Sequence, residues 1–232
     1  KRLIREYAKK YPRCTRIEKG AFKQVDVKAI TASELTIRWD LENNYVGSGL
    51  RGGDELFKCS SLDELIFVWR DGRFKKTQPE DKIFVDKDLL AVLRYDQEKD
   101  RETRDFTCVY EEGGYGFSYI KRFRFGGLIR NKEYRLAPEK PKSKIIFFQE
   151  GCPDTLYVKF KPAKNQKIHQ QYFLPKEQVK RSGAENGAQE VVVIRSASAK
   201  GKQLTTKPIS RISSSKGSWW DNSEPPSKGI LD

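Results

Sequence analysis

The residue types that carry most enzyme chemistry are scarce in this 232-residue sequence. It holds one histidine, His169, and neither a Ser-His-Asp triad nor a histidine-rich metal site can be assembled from obvious motifs. The four cysteines, Cys14, Cys59, Cys108 and Cys152, form no Cys-x-x-Cys pair, which argues against zinc and a disulfide framework. Phosphate-binding loops and nucleophile elbows are also missing. We therefore expect no metal, no cofactor and no independent catalysis, although a carboxylate pair would leave no spacing signature.

Positive charge is the most prominent compositional feature. The formal net charge is +14, and it is unevenly distributed: +7 over residues 1–28, −6 over 29–119, +11 over 120–181 and +2 over 182–232. A basic block beside an acidic one produces a directed field that attracts a polyanion. The leading candidate partner is nucleic acid, and the alternative is an ordinary solvated surface.

The basic block interleaves its charges with aromatic residues. Alternation predicts a strand with Lys121, Phe123 and Phe125 on one face and Arg122 and Arg124 on the other, so that one face packs while the other contacts phosphate. Further cations come from the preceding hairpin and from the next repeat. The candidate DNA-binding residues are Arg73, Lys75, Lys76, Lys121, Arg122, Arg124, Arg130, Lys132, Arg135, Lys159, Lys161, Lys164 and Lys167.

The elements that must position these residues are mainly β-strands. Residues 1–11 predict a short basic helix that stops near Pro12, with Leu3, Ile4 and Tyr7 on one face. Beyond it, short β-branched and aromatic runs are separated by Gly, Asn and Asp. In the clearest hairpin, Asp71-Gly72 predicts a type I′ turn, which requires positive φ at both residues.

A loose repeat of strand, turn and aromatic-basic strand recurs along the chain. Its first strands begin near residues 35, 65, 106, 156 and 191, which predicts about five four-stranded blades of a propeller-like array. A β-sandwich or barrel is the alternative. Residues 213–232 are rich in Ser, Pro and Gly and predict a flexible tail. Within this tail, Trp219-Trp220 could dock on the body of the domain.

Several strings resemble a known family. They are Phe57-Lys58-Cys59-Ser60-Ser61-Leu62-Asp63-Glu64-Leu65, Arg70-Asp71-Gly72-Arg73, Lys82-Ile83-Phe84-Val85-Asp86-Lys87-Asp88-Leu89-Leu90, Tyr119-Ile120-Lys121-Arg122-Phe123, Asn131-Lys132-Glu133-Tyr134 and Gly201-Lys202-Gln203-Leu204-Thr205-Thr206-Lys207-Pro208. Together, over residues 14–212, they resemble the C-terminal domain of the A subunit of bacterial type IIA topoisomerases, of the topoisomerase IV or gyrase type.

The resemblance implies an all-β fold, a β-pinwheel in which blades exchange strands and a positive rim bends double-stranded DNA. Residues 1–13 would be a helical tether from an upstream breakage-reunion core that holds the catalytic tyrosine. The implied partners are the rest of the A subunit and the ATPase B subunit in an A2B2 holoenzyme. The holoenzyme would use ATP and Mg²⁺ as cofactors, bound on other domains. The fragment itself would not be an enzyme.

One departure narrows the expected reaction. Gyrases carry a Gln-, Arg- and Gly-rich box used for DNA wrapping, and Arg51-Gly52-Gly53 is only a poor match to it. The resemblance therefore favours decatenation or relaxation over negative supercoiling. The rival hypothesis is a propeller-type platform that binds an acidic protein. No apolar run approaches the roughly 20 residues of a membrane span, and a cytoplasmic location is expected. The absence of Met predicts a piece of a larger protein.

Overall fold

The computed structural model describes residues 1–10, 33–96, 99–113, 116–164, 166–176, 178–179, 189–190, 192–220 and 227–228. The chain divides into two compact units, residues 1–32 and 33–232. In the first unit, α1 (Arg2–Lys10) confirms the predicted helix and leaves Leu3, Ile4 and Tyr7 exposed. The predicted helix end at Pro12 and the domain boundary after residue 13 lie outside the described residues.

The second unit is almost entirely β-structure. Its elements, in chain order, are β1 (Glu34–Asp40), β2 (Tyr45–Gly47), β3 (Asp54–Ser60), β4 (Glu64–Trp69), β5 (Arg73–Thr77), β6 (Ile83–Phe84), β7 (Leu89–Tyr95), α2 (Asp100–Thr103), β8 (Phe106–Glu112), β9 (Phe117–Arg124), β10 (Glu133–Arg135), β11 (Lys144–Glu150), β12 (Leu156–Phe160), β13 (Gln170–Phe173), β14 (Gln178–Val179), β15 (Gln189–Glu190), β16 (Ile194–Ser196), β17 (Lys202–Thr205), β18 (Ile209–Ser213) and β19 (Ser227–Lys228).

Most of these strands assemble into four sheets of four or five strands. Their orders are β3-β1-β2-β6, β10-β5-β4-β7, β11-β8-β9-β16 with β17 also on β9, and β18-β12-β13-β19; β14 and β15 pair with each other. The leading strands start at residues 34, 64, 106 and 156, close to the predicted starts. The count of about five blades is not confirmed, because the segment predicted to open a fifth blade contributes β16 to the third sheet.

Strand exchange links each sheet to the next. β6 follows β4 and β5 in the chain but pairs with β2, and β10 follows β8 and β9 but pairs with β5. Likewise, β16 and β17 follow β12 and β13 but pair with β9. A later segment thus completes each of the first three sheets, which confirms the all-β pinwheel. In the fourth sheet, β19 from the C-terminal segment occupies the corresponding edge beside β13.

The core consists of three apolar clusters that join the sheets in chain order. Ile37 of the first sheet packs with Phe67 of the second, and Val68 of the second packs with Phe123 of the third. Ile120 of the third sheet packs with the fourth sheet in turn. Successive residues of a strand point to opposite faces, so the second and third sheets are packed on both faces.

The predicted type I′ turn between β4 and β5 is wrong. The Gly72 N–H donates to the Trp69 carbonyl at 3.0 Å, and only Gly72, with φ of 89°, has positive φ in the Asp71-Gly72 pair. The Asp71 side chain instead accepts the Arg73 N–H at 2.9 Å. A three-residue hairpin loop that ends in a left-handed glycine explains this geometry.

Part of the predicted flexible tail is packed against the fourth sheet. Trp220 is buried and meets Tyr157 edge-to-face at 5.0 Å. The Lys159 ammonium also donates to the Trp219 carbonyl at 3.0 Å. The suggestion that the two tryptophans dock therefore describes residues 213–220 better than flexibility does; residues 221–226 and 229–232 lie outside the described part of the chain.

The two edges of each sheet have different surroundings. β3 contacts β7 of the next sheet, and β11 contacts β18. The opposite edges are formed by β6, β10, β16 with β17, and β19. We call the latter the peripheral edges.

Candidate nucleic-acid interface

β9, the strand predicted to meet phosphate, has the predicted alternation but a different environment. Lys121 is only 4% exposed, and its ammonium donates to the carbonyls of Leu136 and Ala197, both at 2.5 Å, and of Ala199 at 3.3 Å. Burial lowers the pKa of Lys121 from its ordinary value. Because the ammonium is enclosed and hydrogen-bonded, Lys121 is corrected from a phosphate contact to a residue that positions neighbouring segments.

Lys76 is corrected for the same reason. It is 3% exposed, and its ammonium lies 2.7 Å from the Glu64 carboxylate. Arg130, 3.3 Å from the same carboxylate, remains exposed. A buried ion pair that is well enclosed is not available to a ligand without a large desolvation cost. Of these two predicted contacts, only Arg130 lies at the surface.

Four more predicted contacts are held by partners within the protein. Arg73 lies between Asp71, at 2.5 Å, and Asp86, at 2.9 Å, and its hydrogen bond to Asp86 raises the Arg73 pKa. The other three bond to a carboxylate or a carbonyl: Arg122 to Asp105, Arg135 to Glu139 and Lys159 to the Trp219 carbonyl. A cation whose donors already bond a carboxylate or a carbonyl contributes less to a phosphate site than a cation without such a partner.

The remaining six predicted contacts make neither an ion pair nor a side-chain hydrogen bond with the described residues. Three of them are half-buried or exposed on the second and third sheets, and three are exposed on the fourth. They are Lys75, Arg124 and Lys132, then Lys161, Lys164 and Lys167. The structure does not gather all six in one place.

The first basic surface follows the peripheral edges of the second and third sheets. Arg130 and Lys132 lie just before β10, and Arg195 lies in β16. Lys200 lies just before β17, and Lys202 is its first residue. We call these five residues the peripheral basic edge. Because the Lys121 ammonium bonds both Leu136, after β10, and Ala197, after β16, it ties together the segments that carry these cations.

Sequence reasoning missed Arg195, Lys200 and Lys202. They fall in residues 182–232, whose net charge is only +2, and only the return of β16 and β17 to β9 places them beside the basic block. A local signal existed in the basic residues flanking Gly201. Its position in the fold depended on long-range pairing.

The second basic surface lies at the other end of the strands. Arg195 of the first surface pairs with Phe123, which lies opposite the beginning of β8. Lys144, at the beginning of β11, lies opposite Glu111 near the end of β8, and Lys161 lies near Lys144. There, Lys161 lines a cavity of about 810 Å³ together with Arg70, Lys142, Lys144 and Arg211. We call it the inter-sheet cavity. The sequence did not single out those four companions.

Other chemistry is not prominent in the described part of the chain. No group of three His, Cys, Asp or Glu residues there has metal-binding geometry, and no helix there is long and apolar enough to cross a membrane. Cys59 and Cys108 are buried free thiols, and Cys152 is half-buried. Burial raises the pKa of Cys108 to about 12, so its reactive thiolate is disfavoured at neutral pH.

The fold and its basic edge define the class, an all-β pinwheel of strand-exchanged sheets whose periphery carries cations. Residues 36–216 match the family model described as the topoisomerase C-terminal domain of Bacteroidota. The chain belongs to this family of topoisomerase C-terminal domains.

Two further similarities agree with this assignment. The chain is 28% identical over 137 residues to the A subunit of DNA topoisomerase 4 from Borreliella burgdorferi, covering 59% of this chain and 21% of that protein. It therefore spans about a fifth of that relative. A crystal structure of the C-terminal domain of DNA topoisomerase IV is similar with a TM-score of 0.53 and 10% identity, over 87% of this chain and 73% of the other. That likeness concerns the fold.

Proposed function

We propose that this chain binds and bends duplex DNA without sequence preference, as the C-terminal domain of a topoisomerase A subunit. The observation that carries the proposal is the peripheral basic edge, whose Arg195 and Lys202 make no ion pair with the described residues. Unpaired surface cations replace counterions at phosphates and so supply affinity that is independent of sequence. Membership of the family supports the same conclusion.

Within a holoenzyme, the domain would present a DNA segment for strand passage. Its partners would be the rest of the A subunit, together with the ATPase B subunit, and ATP and Mg²⁺ would bind on those other domains. Decatenation or relaxation is favoured over supercoiling because the sequence lacks a good Gln-, Arg- and Gly-rich box. Bending a site of about 20 to 30 base pairs costs on the order of 1 to 6 kcal/mol, so several phosphate contacts must offset it.

The first test measures duplex affinity by fluorescence anisotropy as a function of salt, with two unrelated sequences. If about six to ten phosphates are contacted, affinity falls roughly 10³- to 10⁵-fold between 50 and 200 mM salt. The double variant Lys132→Glu/Arg195→Glu should lower the magnitude of the salt slope by about 2, because two contacts are lost. Arg51→Glu/Lys87→Glu changes net charge equally on the first sheet and its connection to the second, and serves as the control.

Equal slopes for the two double variants would contradict the assignment of the peripheral basic edge. The rival function is tested by competition, since an acidic protein partner would have to compete with duplex DNA for these cations. Bending is measured separately as a change in linking number when the chain is added to relaxed plasmid with a nicking-closing enzyme. An unchanged linking number at saturating protein would refute bending with net writhe.

A further inference from the structure

The inter-sheet cavity lies apart from the peripheral basic edge. It forms where the β4–β5 turn of the second sheet meets the beginning of β11, the end of β12 and β18. Its volume is about 810 Å³, within the range of small-molecule pockets, roughly 300 to 1,000 Å³. A cavity of this size can admit a nucleotide or a short single strand, whereas a duplex could only lie across its mouth.

Positive charge dominates the wall of the cavity. Five cations face two carboxylates, of Asp71 and Asp88, and Asp71 is already bound by Arg73. Lys144 lies 3.6 Å from Glu111. The other four cations make no ion pair or side-chain hydrogen bond with the residues that the structure describes: Arg70, Lys142, Lys161 and Arg211. The surplus positive charge is therefore available to an anion.

One backbone hydrogen bond between sheets and one within the fourth sheet hold this wall in place. The Ile145 N–H donates to the Arg70 carbonyl at 2.6 Å, and the Lys161 N–H donates to the Pro208 carbonyl at 2.9 Å. Ile145 and Ile209, which also line the cavity, are buried. The cations thus project from positions that are set before any ligand arrives, which reduces the ordering cost of binding.

An aromatic side chain completes the cavity. Trp219 lines it, and its ring packs edge-to-face against Trp220 at 6.0 Å, which in turn packs on Tyr157. The Lys159 ammonium fixes the Trp219 carbonyl. An aromatic ring beside unpaired cations matches the pattern of single-strand binding sites, in which bases stack while cations hold the phosphates.

We propose that the inter-sheet cavity binds a phosphate-bearing nucleotide, either free or within a single strand. The phosphates lie on Arg70, Lys142, Lys161 and Arg211, and the base stacks on Trp219. This site goes beyond the proposed duplex binding because it uses different residues at a different part of the array. Its failure and the failure of duplex binding are therefore distinguishable.

The experiment uses the full chain and three probes at low salt: inorganic triphosphate, a nucleoside triphosphate and a fluorescein-labelled thymidine pentanucleotide. Calorimetry measures the first two and anisotropy the third. Lys142→Glu and Lys161→Glu, both at exposed positions, should each weaken all three probes at least about 10-fold. Trp219→Leu should weaken the nucleotide and the pentanucleotide by about 5- to 150-fold and leave triphosphate unchanged.

Lys132→Glu provides the matched control, because it changes the peripheral basic edge by the same charge. It should leave all three affinities within about 2-fold, while Lys142→Glu leaves the salt slope for duplex DNA unchanged. Thermal melting verifies that each variant is folded. If Trp219→Leu does not fold, Lys142→Glu still tests the site. The proposal is overturned if no probe saturates, if Lys132→Glu weakens the probes equally, or if triphosphate binds as tightly as the nucleotide. Displacement of the pentanucleotide by equimolar duplex would also overturn it.

Discussion

At the scale of single residues, the same basic sequence contains cations with opposite roles. Lys121 and Lys132 are both lysines in the predicted DNA-binding set, yet Lys121 is enclosed by three carbonyls and Lys132 is exposed. Charge counting treats them alike because it has no information on burial. The face of β9 that carries Lys121 packs against the second sheet, so its ammonium satisfies backbone carbonyls in the core instead of meeting solvent.

Replacing Lys121 with Met should therefore destabilise the fold rather than weaken a DNA contact. The change keeps the apolar stem but leaves two buried carbonyls and one partly buried carbonyl without this donor, and we expect a loss of about 1 to 3 kcal/mol in the free energy of unfolding. Urea denaturation measures it. Lys132→Met, at an exposed position, should stay within about 0.5 kcal/mol of the unchanged protein. If Lys121→Met kept full stability but lost DNA affinity, the positioning role would be wrong.

At the scale of elements, the chain builds its hairpins locally and its sheets by exchange. The hairpins β4–β5 and β8–β9 were predictable because an apolar run and an aromatic-basic run flank a glycine-containing turn. The edge strands β6 and β10 contain only two and three residues, too few to show a period, and their partners lie in the preceding sheet. Their pairing could not be predicted from local pattern.

Gly72 illustrates how closely one hairpin fits the exchanged strand. Its φ is +89°, and a Cβ there would lie 2.6 Å from the Ala137 Cβ and 2.9 Å from the Ala137 nitrogen. Gly72→Ala should lower the free energy of unfolding by about 1 to 3 kcal/mol from backbone strain alone, and by more from the clash.

Chemical denaturation of Gly72→Ala should be compared with Gly127→Ala. Gly127 has φ of +64° but no atom within 4 Å of the added Cβ, so this control isolates the strain of positive φ from the steric clash. Equal losses of unfolding free energy for Gly72→Ala and Gly127→Ala would show that the contact with Ala137 relaxes without cost.

At the scale of the whole molecule, neighbouring sheets are joined by polar ties as well as by apolar clusters. Arg104 donates to the Arg94 carbonyl of β7 at 2.5 Å and to both Glu150 oxygens of β11 at 2.6 and 2.7 Å. Its side chain therefore connects the second and third sheets. The hydrogen bond from Arg104 lowers the pKa of Glu150 below 4.5.

This shift makes the tie between sheets sensitive to acid. A carboxyl whose pKa is lowered on folding contributes stability above its unfolded value of 4.5, and that contribution is lost as pH falls through the lowered pKa. The difference in unfolding free energy between the unchanged protein and Glu150→Gln should be constant at neutral pH and shrink below about pH 4.5. Urea titrations across that range measure it, with Glu42→Gln at an exposed carboxylate as the control. A difference independent of pH would contradict this origin.

The sequence by itself determined the local features of the chain. Periodicity predicted the helix α1 and the leading strands, ordered motifs indicated the pinwheel, and charge counting located a basic sector between Ile120 and Arg181. Each depends on residues that are neighbours in the chain, so each is legible without a structure.

Only the tertiary structure decided which cations are available and which lie together. Burial removed Lys76 and Lys121 from the surface, return of β16 and β17 to β9 added Arg195 and Lys202 to the peripheral basic edge, and packing between sheets placed Lys161 on the wall of a separate cavity. The physical reason is that burial, ion pairing and strand exchange depend on contacts between segments far apart in sequence, which net charge and alternation do not encode.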